Sequence, residues 1–361
     1  MKVRCTFASH LMQDGGRMNE PWVLLAVCGA AFVAALAMTP LVRRLALRYG
    51  FVDVPDARPK KLHRAPTPRL GGVALYVAFV VGLGLALLLR GRVTATEDPL
   101  ELARVAGCLA GATVVFLVGV LDDRWELGPA AQFGGQFVAA ALAMAAGIVI
   151  WSVNNPLGGT WEFPVYVAVP FTIFWLVGAM NAVNWLDGLD GLAAGVGGIA
   201  ALIFALHSLN MGQYSVALLP LALAGALLGF LPYNFHPARI FLGGGAPLLG
   251  FLLGALSIMG GTKGATLLLV LGIPILDVAW LILRRLLQGR SPLRGSREHL
   301  HHRLLDLGLS QPAIVLLYYA FTVLLGGLAL VLAAPIYKLA ALVVGGIVLV
   351  GVLTLLARSE R

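Results

Sequence analysis

Long apolar segments alternate with short polar ones along nearly the whole chain. A helix of about 20 residues rises about 30 Å and crosses the hydrocarbon core of a bilayer, and eleven segments have roughly this length. They cover residues 22–41, 70–90, 105–121, 131–151, 165–183, 191–209, 215–232, 246–260, 265–283, 311–333 and 336–357. Because backbone polar groups in lipid must be satisfied internally, each segment is predicted to be an α-helix. The pattern predicts an all-α polytopic membrane protein with roughly eleven transmembrane helices.

Composition agrees with this pattern, because 59% of the 361 residues are hydrophobic and 12% are charged. This balance is typical of a protein embedded in a lipid bilayer and argues against a soluble protein with one buried core. Residues 22–361 are expected to form a single transmembrane domain, since no internal repeat or linker divides them. Residues 1–21 form an N-terminal extension without the continuous apolar core of a cleavable signal peptide.

The positions of the basic residues predict the orientation in the membrane. With the N-terminus outside and the C-terminus in the cytoplasm, 18 of the 26 Lys and Arg residues fall on the cytoplasmic side. They are Arg43, Arg44, Arg48, Arg58, Lys60, Lys61, Arg64, Arg69, Arg124, Arg239, Arg284, Arg285, Arg290, Arg294, Arg297, Arg303, Arg358 and Arg361. This positive-inside bias predicts that orientation for a multi-pass protein, and the plasma membrane is the expected location. No nucleic acid is expected as a partner, because no DNA-binding motif accompanies the net charge of +9.

Five acidic residues stand at the cytoplasmic ends of the predicted spans, namely Asp122, Asp123, Asp187, Asp190 and Asp277. An Asp at the centre of a bilayer costs about 2.5–3.5 kcal/mol, so these carboxylates must be hydrated, paired or bound to a metal. Because all five share one side of the membrane, a functional site that faces the cytoplasm is expected.

The two acidic pairs each have a structural interpretation beside the functional one. One of Asp122 and Asp123 could cap the next helix while the other pairs with Arg124. Asp187 and Asp190 could belong to an ordinary turn, since D-G occurs twice within five residues. Function is favoured for both pairs, because ionisable residues at membrane depth are functional by default.

The segment N-A-V-N-W-L-D-G-L-D-G at 181–191 adds two amides, Asn181 and Asn184, which a simple turn does not need. Residues three apart are neighbours on a helix, but three such steps drift about 180° around its axis. The four polar side chains therefore cannot share one face. The helix is expected to break near Gly188, with the polar groups lining a pocket.

Several carboxylates and amides near basic residues suit Mg²⁺-assisted phosphoryl transfer. Mg²⁺ prefers oxygen ligands, keeps several waters and joins one or two carboxylates to substrate phosphates. Basic side chains then neutralise the transferring group. The segment R-E-H-L-H-H-R, with Arg297, His299, His301, His302 and Arg303, fits a clamp for a diphosphate. It is also compatible with a zinc site or a solvated basic loop, although no cysteine is nearby.

Five polar segments follow one another in a specific order. They are K-L-H-R-A-P-T-P-R-L-G-G at 61–72, L-D-D at 121–123, N-A-V-N-W-L-D-G-L-D-G at 181–191, P-I-L-D at 274–277 and H-L-H-H-R-L-L-D-L-G at 299–308. Together they resemble the polyprenyl-phosphate N-acetylhexosamine-1-phosphate transferases of glycosyltransferase type 4. The resemblance extends from about residue 22 to the C-terminus. The H-L-H-H-R and P-R-L-G-G forms resemble the N-acetylglucosamine-1-phosphate branch more than the muramoyl-pentapeptide branch.

The resemblance implies an enzyme in which a polyprenyl phosphate, such as undecaprenyl phosphate, attacks the β-phosphate of a UDP-sugar. The implied sugar nucleotide is UDP-N-acetylglucosamine, and the products are a lipid-linked diphosphate sugar and UMP. This reaction would be the first membrane step of a cell-envelope polysaccharide. The implied cofactor is Mg²⁺, with Mn²⁺ as a substitute. The sequence leaves the oligomeric state open and is compatible with a homodimer.

Matching the motif positions implies a role for each polar residue. Asp122 would be the base that deprotonates the lipid phosphate, with Asp123 beside it. The implied metal ligands are Asp123, Asp187 and Asp190. The implied substrate-binding residues are Lys61, His63 and Arg69 for the lipid phosphate, Asn181, Asn184 and Asp190 for the nucleotide sugar, and Arg297, His299, His301, His302 and Arg303 for the diphosphate.

One position departs from the family pattern. The family reads Phe-Met-Gly-Asp-x-Gly-Ser where this chain reads F-L-G-G-G-A-P at 241–247, so Gly244 replaces a metal-binding Asp. The metal could be held by the remaining acids alone, or the amides of residues 243–245 could hold a phosphate. Alternatively, the protein could be an impaired homologue that binds its ligands without turning them over. Close packing at a turn would also explain three consecutive glycines.

Two other classes use similar residues. Ion-coupled transporters also place acids at membrane depth, but no pair of broken helices repeats between the halves of this chain. CDP-alcohol phosphotransferases also use Asp-Gly runs, but their Asp-Gly-x-x-Ala-Arg core would need an Arg where Gly195 stands. The transferase remains the main hypothesis.

Overall fold

The computed structural model describes residues 20–54, 66–93, 98–156, 158–260, 268, 271–289, 299–332 and 334–359, and most of them are helical. The helices are α1 (Trp22–Tyr49), α2 (Gly71–Leu89), α3 (Glu101–Trp125), α4 (Pro129–Ala145), α5 (Val165–Leu186), α6 (Leu192–Asn210), α7 (Tyr214–Asn234), α8 (Gly245–Met259), α9 (Gly272–Leu287), α10 (Leu300–Asp306), α11 (Gln311–Val331) and α12 (Pro335–Ser359). A single 3₁₀ turn, Arg90–Arg92, follows α2.

The prediction of a polytopic helical membrane protein is confirmed. Within the described residues, seven helices are long and apolar enough to cross a bilayer, namely α1, α2 with its 3₁₀ turn, α3, α5, α6, α7 and α11. The helices on predicted spans 131–151, 246–260 and 265–283 are shorter, at 17, 15 and 16 residues. The first helix is longer than its predicted span, because it continues through Pro40 to Tyr49.

Four short strands correct the all-α expectation. Strands β1 (Val52–Asp53) and β2 (Thr67–Pro68) pair antiparallel, as do β3 (Ser152–Asn154) and β4 (Thr160–Glu162). The first pair matters for function, because Phe241 N–H donates to the Pro68 carbonyl at 2.8 Å. This contact places the residue after β2, Arg69, beside the glycine-rich segment that follows α7.

The most buried helices are α6, α7 and α8, whose residues are covered on nearly every side. Helix α7 packs against α1, α2 and α6, and α8 packs against α5 and α3. Gly225 and Gly229 of α7 lie directly against the carbonyl oxygens of Cys28 and Phe32 in α1. Small residues at helix contacts let backbones approach closely, which is how helices in lipid gain packing energy. This tight centre holds the ends of α3, α5 and α7 in fixed positions.

Candidate active site

A pocket lies where the ends of α3 and α5 and the start of α4 meet the glycine-rich segment before α8. Its volume is about 170 Å³. It is lined by Arg69, Val115, Val118, Gly119, Asp122, Gln132, Gly135, Gln136, Asn184, Asp187, Gly243, Gly244 and Pro247. Four residues selected from the sequence therefore meet in one place, although Arg69 and Asp187 are 118 positions apart in the chain.

Asp122 lines this pocket from the last turn of α3. Its Oδ1 accepts a hydrogen bond from Gln132 Nε2 at 2.9 Å. The helix ends at Trp125, and Glu126 takes a left-handed conformation with φ of 49°. The N–H of Glu126 donates to the Asp122 carbonyl, so the backbone at Asp122 is held in the closing turn of the helix.

Asp123 is buried, with 9% of its surface exposed, and it contacts the glycine-rich segment. Gly244 N–H donates to both carboxylate oxygens at 3.0 Å. Arg69 Nε lies 3.8 Å from Oδ1 and provides a positive charge. Consecutive residues of a helix point about 100° apart, so neighbouring carboxylates of α3 meet different partners. Asp122 therefore faces the cavity while Asp123 anchors the segment before α8.

The structural interpretation of this acidic pair does not hold in the described residues. Helix α4 has Gly128 as its N-cap, and no side chain caps it. The Arg124 guanidinium lies 5.7 Å from the centre of the Phe51 ring, in a cation–π contact. Neither carboxylate of α3 is used in the way that a local capping arrangement would require.

Gly244 packs against α3 without room for a side chain. A Cβ atom here would overlap the backbone of Gly119, and a Cβ atom at Gly119 would overlap the Gly244 carbonyl. Gly245 and Gly72 meet in the same way. These contacts join backbone to backbone, so no flexible side chain can move aside. Close packing accounts for the glycine run, and an Asp at position 244 is incompatible with this backbone.

The amides of the glycine run already have partners inside the protein. Gly244 N–H donates to the Asp123 carboxylate, and Gly245 N–H donates to the Leu242 carbonyl at 3.1 Å. The sequence suggested that these amides could hold a phosphate, whereas in the structure the Gly244 amide holds the Asp123 carboxylate. A phosphate would therefore find two of the three amides engaged.

Asp187 lies in the break between α5, which ends at Leu186, and α6, which begins at Leu192. The predicted break near Gly188 is confirmed. Burial, together with the nearby charges of Asp123 and Asp190, raises the pKa of Asp187 to about 7, and the charge of Arg69 opposes this rise. Two neighbouring carboxylates resist a third negative charge, so a cation bound here would relieve the repulsion.

Asp190 contacts the segment after α7 and is absent from the pocket lining. Its Oδ2 accepts a hydrogen bond from Ala238 N–H at 3.0 Å and lies 2.9 Å from His236 Nδ1. Asn181 is also engaged, because its Nδ2 donates to Gln136 Oε1 at 2.7 Å. Neither residue lines the pocket: Asn181 bonds to the lining residue Gln136, and Asp190 joins the turn after α5 to the segment after α7.

Tyr319 of α11 supports the turn between α5 and α6 at its Gly191 end. Its hydroxyl donates to the Gly191 carbonyl at 2.6 Å, and its ring occupies the space that a side chain at Gly195 would need. Gly195 stands where a CDP-alcohol phosphotransferase core would have an Arg, and the Tyr319 ring leaves no space there for a side chain. Tyr319 fixes the end of the segment that begins at Asp187.

Asp277 of α9 contacts the start of the histidine segment at His299 and Leu300. His299 Nδ1 lies 2.9 Å from Asp277 Oδ2, and Leu300 N–H donates to Asp277 Oδ1 at 3.0 Å. This carboxylate therefore fixes the start of α10, the helix that contains His301 and His302. The acid that was expected to be hydrated, paired or metal-bound is paired.

His301 is 2% exposed and packs beneath the Asp187 turn. A side chain at Gly188 would overlap its imidazole ring, whose Nε2 has no hydrogen-bond partner in the described part of the chain. Burial lowers the pKa of His301, and the charges of His302 and His299 lower it further. The ring is therefore neutral at neutral pH and supports the turn through packing.

Asp277→Asn is expected to loosen α10, because the amide weakens the bonds to His299 and to Leu300 N–H. A hydrogen bond to a charged group contributes about 1.5–3 kcal/mol, so amide exchange in residues 300–306 is expected to accelerate about 10- to 100-fold. Hydrogen–deuterium exchange mass spectrometry measures this directly. The control is Asp306→Asn, which removes an exposed carboxylate from the same helix; equal exchange in both variants would contradict the anchoring role.

The remaining predicted residues of the histidine segment and the lipid entry are only partly placed. Lys61, His63 and Arg297 lie outside the described residues. Arg303 is 3% exposed, and the His302 ring lies 4.3 Å from that of His301. The roles implied for these residues stay predictions.

Comparisons with known proteins agree with the motif pattern. The model of glycosyl transferase family 4 matches residues 105–261. A decaprenyl-phosphate N-acetylglucosaminephosphotransferase of Mycobacterium tuberculosis is 37% identical over 92% of this chain and 88% of its own length. The chain belongs to glycosyl transferase family 4.

Two further relatives show the range of similar proteins. An undecaprenyl-phosphate alpha-N-acetylglucosaminyl 1-phosphate transferase of Yersinia pestis is 28% identical over 81% of this chain and 80% of its own length. A phospho-N-acetylmuramoyl-pentapeptide-transferase of Moorella thermoacetica is 34% identical over 85% of this chain and 95% of its own length. Most of the residues lining the pocket lie within the segment that matches the family 4 model.

The donor set of the family 4 pocket suits a magnesium ion that takes some of its ligands from substrate. Among the described residues, no three His, Cys, Asp or Glu side chains form a group that could hold a metal. The pocket does offer carboxylate and amide oxygens from Asp122, Asp187 and Asn184. Mg²⁺ usually keeps several waters and binds one or two carboxylates together with substrate phosphates, rather than a cage made only of protein ligands. The oxygens of this pocket match that pattern.

Two glutamines of α4 line the family 4 pocket and were missed in the sequence. Gln132 and Gln136 are four residues apart, so they share one face of the helix. Gln136 is only 4% exposed. Both are carboxamides within the otherwise apolar span 131–151, and this isolation was the signal that could have identified them.

Proposed function

We propose that this protein transfers N-acetylglucosamine-1-phosphate from UDP-N-acetylglucosamine to a polyprenyl phosphate and releases UMP. The observation that carries the proposal is the single pocket that combines Asp122 and Asp187 with Arg69 at the ends of membrane helices. The names of two of the relatives described above support the sugar and the lipid. The H-L-H-H-R segment at 299–303 supports the same sugar.

The chemistry can be written with the residues of the pocket. A phosphate oxygen of the lipid bonds to the β-phosphorus of the nucleotide sugar, and the bond from that phosphorus to the bridging oxygen breaks. UMP leaves with the bridging oxygen, while the lipid retains the sugar diphosphate. Asp122 accepts the proton of the lipid phosphate, and Arg69 provides positive charge beside the acids. Positioning and charge stabilisation supply most of the rate in reactions of this class.

Asp187 and Asn184 would hold Mg²⁺ in this pocket, with the substrate phosphates and water as further ligands. When bound, Mg²⁺ would neutralise charge that develops on the diphosphate. Mn²⁺, which also accepts oxygen ligands, is proposed as a substitute.

The proposed setting is the plasma membrane, with roughly eleven spans, the N-terminus outside and the pocket facing the cytoplasm. The distribution of basic residues supports this orientation, because 18 of 26 fall on that side. A cytoplasmic pocket also gives the nucleotide sugar access to the phosphate of a lipid embedded in the same membrane.

The deciding experiment measures UMP release by the purified full-length protein in lipid nanodiscs. UDP-N-acetylglucosamine, undecaprenyl or decaprenyl phosphate and Mg²⁺ are supplied together, and UMP is expected only when all are present. UDP-N-acetylmuramoyl-pentapeptide serves as the competing nucleotide. If neither nucleotide yields UMP, transferase activity is refuted. Faster turnover of the pentapeptide nucleotide than of UDP-N-acetylglucosamine would refute the proposed sugar. Substrate-driven proton uptake into vesicles would favour a transporter instead.

Mg²⁺ binding is expected to weaken as the pH falls below about 7. The raised pKa of Asp187 means that its carboxyl group is protonated below that pH, and a protonated carboxyl group does not bind a metal. The dissociation constant of Mg²⁺ is therefore expected to rise about tenfold for each pH unit below about 7. Isothermal titration of Mg²⁺ into the protein without substrates measures this; a constant affinity between about pH 5.5 and 8 would contradict it.

A further inference from the structure

Gln132 of α4 contacts the carboxylate that the proposed function uses as the base. Its Nε2 donates to Asp122 Oδ1 at 2.9 Å and to the Leu127 carbonyl at 3.1 Å. A carboxylate and a carbonyl both only accept hydrogen bonds, so the NH₂ end of the carboxamide must face them. The two N–H groups of Gln132 are thus fully used, and its orientation is determined by its neighbours.

The contact with the Leu127 carbonyl fixes the Gln132 side chain, so that Gln132 can restrict the rotation of Asp122. The Leu127 carbonyl belongs to the tight turn between α3 and α4, next to the N-cap Gly128. Pro129 at the first position of α4 fixes the start of that helix, and Gln132 lies in its first turn. A donor anchored to backbone at one side loses little conformational entropy when it binds a carboxylate at the other.

The neighbouring cations do not take this position. Arg69 interacts with Asp123 at 3.8 Å, and Arg124 lies over the Phe51 ring. Among the described residues, Gln132 is the side chain that donates a hydrogen bond to Asp122. With Oδ1 engaged, Oδ2 is the oxygen available to a proton from a ligand in the pocket.

We infer that Gln132 is a positioning residue, which orients the Asp122 carboxylate so that one oxygen faces the reacting phosphate. The inference rests on the proposed transferase function. Gln132 neither reacts nor carries charge; it restricts the rotation of the side chain that does. Removing it leaves substrate binding largely intact and lowers the rate of the chemical step.

Three substitutions separate positioning from simple packing. Gln132→Ala removes the donor, and kcat is expected to fall about tenfold while KM for UDP-N-acetylglucosamine changes less than about twofold. Gln132→Glu keeps the shape but places a carboxylate against Asp122, and a loss of about 100-fold in kcat is expected. Gln132→Met keeps the approximate volume of the side chain without its donors, so kcat is expected to fall as far as in Gln132→Ala.

The measurement is UMP release in nanodiscs at varied nucleotide concentration, with Gln288→Glu as the control for an exposed glutamine outside the pocket. Equal kcat for Gln132→Ala and the original protein would overturn the inference. A kcat in Gln132→Met close to that of the original protein would also overturn it, since the loss in Gln132→Ala would then report packing. If the unaltered protein releases no UMP, the proposed function itself fails, and this result is distinguishable from the other two.

Discussion

Asp122→Asn is expected to lower the rate of UMP release by about 10²- to 10⁴-fold, the range that a positioned general base contributes. The amide has nearly the same shape as the carboxylate but cannot accept a proton at neutral pH. Asp122 lines the pocket, and among the described side chains its hydrogen-bond partner is Gln132. The substitution therefore leaves the packing of α3 unchanged. KM for the nucleotide sugar is expected to change little.

The control for this substitution is Glu162→Gln, which neutralises an exposed carboxylate on β4. Its rate of UMP release is expected to match that of the unaltered protein. Retention of more than about a tenth of the rate in Asp122→Asn would exclude Asp122 as the base, given the contribution expected of such a group. In that case Asp187, which lines the same pocket, would be the carboxylate to replace next.

Gly244→Asp is expected to abolish activity instead of restoring a missing metal ligand. The sequence comparison suggests that this change would recover the family pattern, but a Cβ atom at 244 would overlap the backbone of Gly119. Overpacking typically costs about 1–3 kcal/mol, and here backbone opposes backbone, so a value at the upper end or above is expected. The new carboxylate would also lie close to Asp123, whose charge is held by Gly244 N–H.

Two alanine variants separate the steric effect from the charge. Gly244→Ala adds only the Cβ atom and is expected to lower the thermal unfolding temperature and UMP release together. Gly178→Ala is the control, since a Cβ atom at that position inside α5 meets nothing within 4 Å. A Gly244→Asp protein that unfolds at the original temperature and releases UMP faster would show that the acid is missing from a functional metal site.

The contact between Gly244 and Asp123 changes how the glycine at this position is understood. Asp123 already accepts a bifurcated hydrogen bond from Gly244 N–H and lies beside the charge of Arg69, so the segment before α8 closes onto α3 without a metal. The absence of the family Asp therefore leaves the wall of the pocket intact. The proposed Mg²⁺ would therefore depend on Asp187 more strongly than in a chain with the additional acid.

The polar ends of the apolar spans were readable from the sequence, because they depend on local composition. Asp122, Asn184 and Asp187 were selected since a carboxylate or amide at membrane depth is costly unless it serves a purpose. The break near Gly188 followed from the drift of polar positions around a helix. These conclusions require no knowledge of which helices touch.

Assigning partners to those residues required the packed structure. Asp190 contacts His236 and Ala238, and Asp277 contacts His299, across tens of residues in the chain. The sequence treats both as acids of the same kind as Asp187. Their carboxylates form hydrogen bonds with partners that come close only when α5, α7 and α9 have packed.

The sequence by itself determined that the chain is a helical membrane protein with acidic and amide residues at the ends of its apolar spans, because hydropathy and charge cost are properties of each segment. Only the tertiary structure decided that Asp122 faces the pocket while Asp123 closes it, that Gln132 holds Asp122, and that Gly244 has no space for an acid. Those outcomes depend on side-chain direction and on backbone distances of a few ångströms between segments far apart in the chain, which no local pattern records.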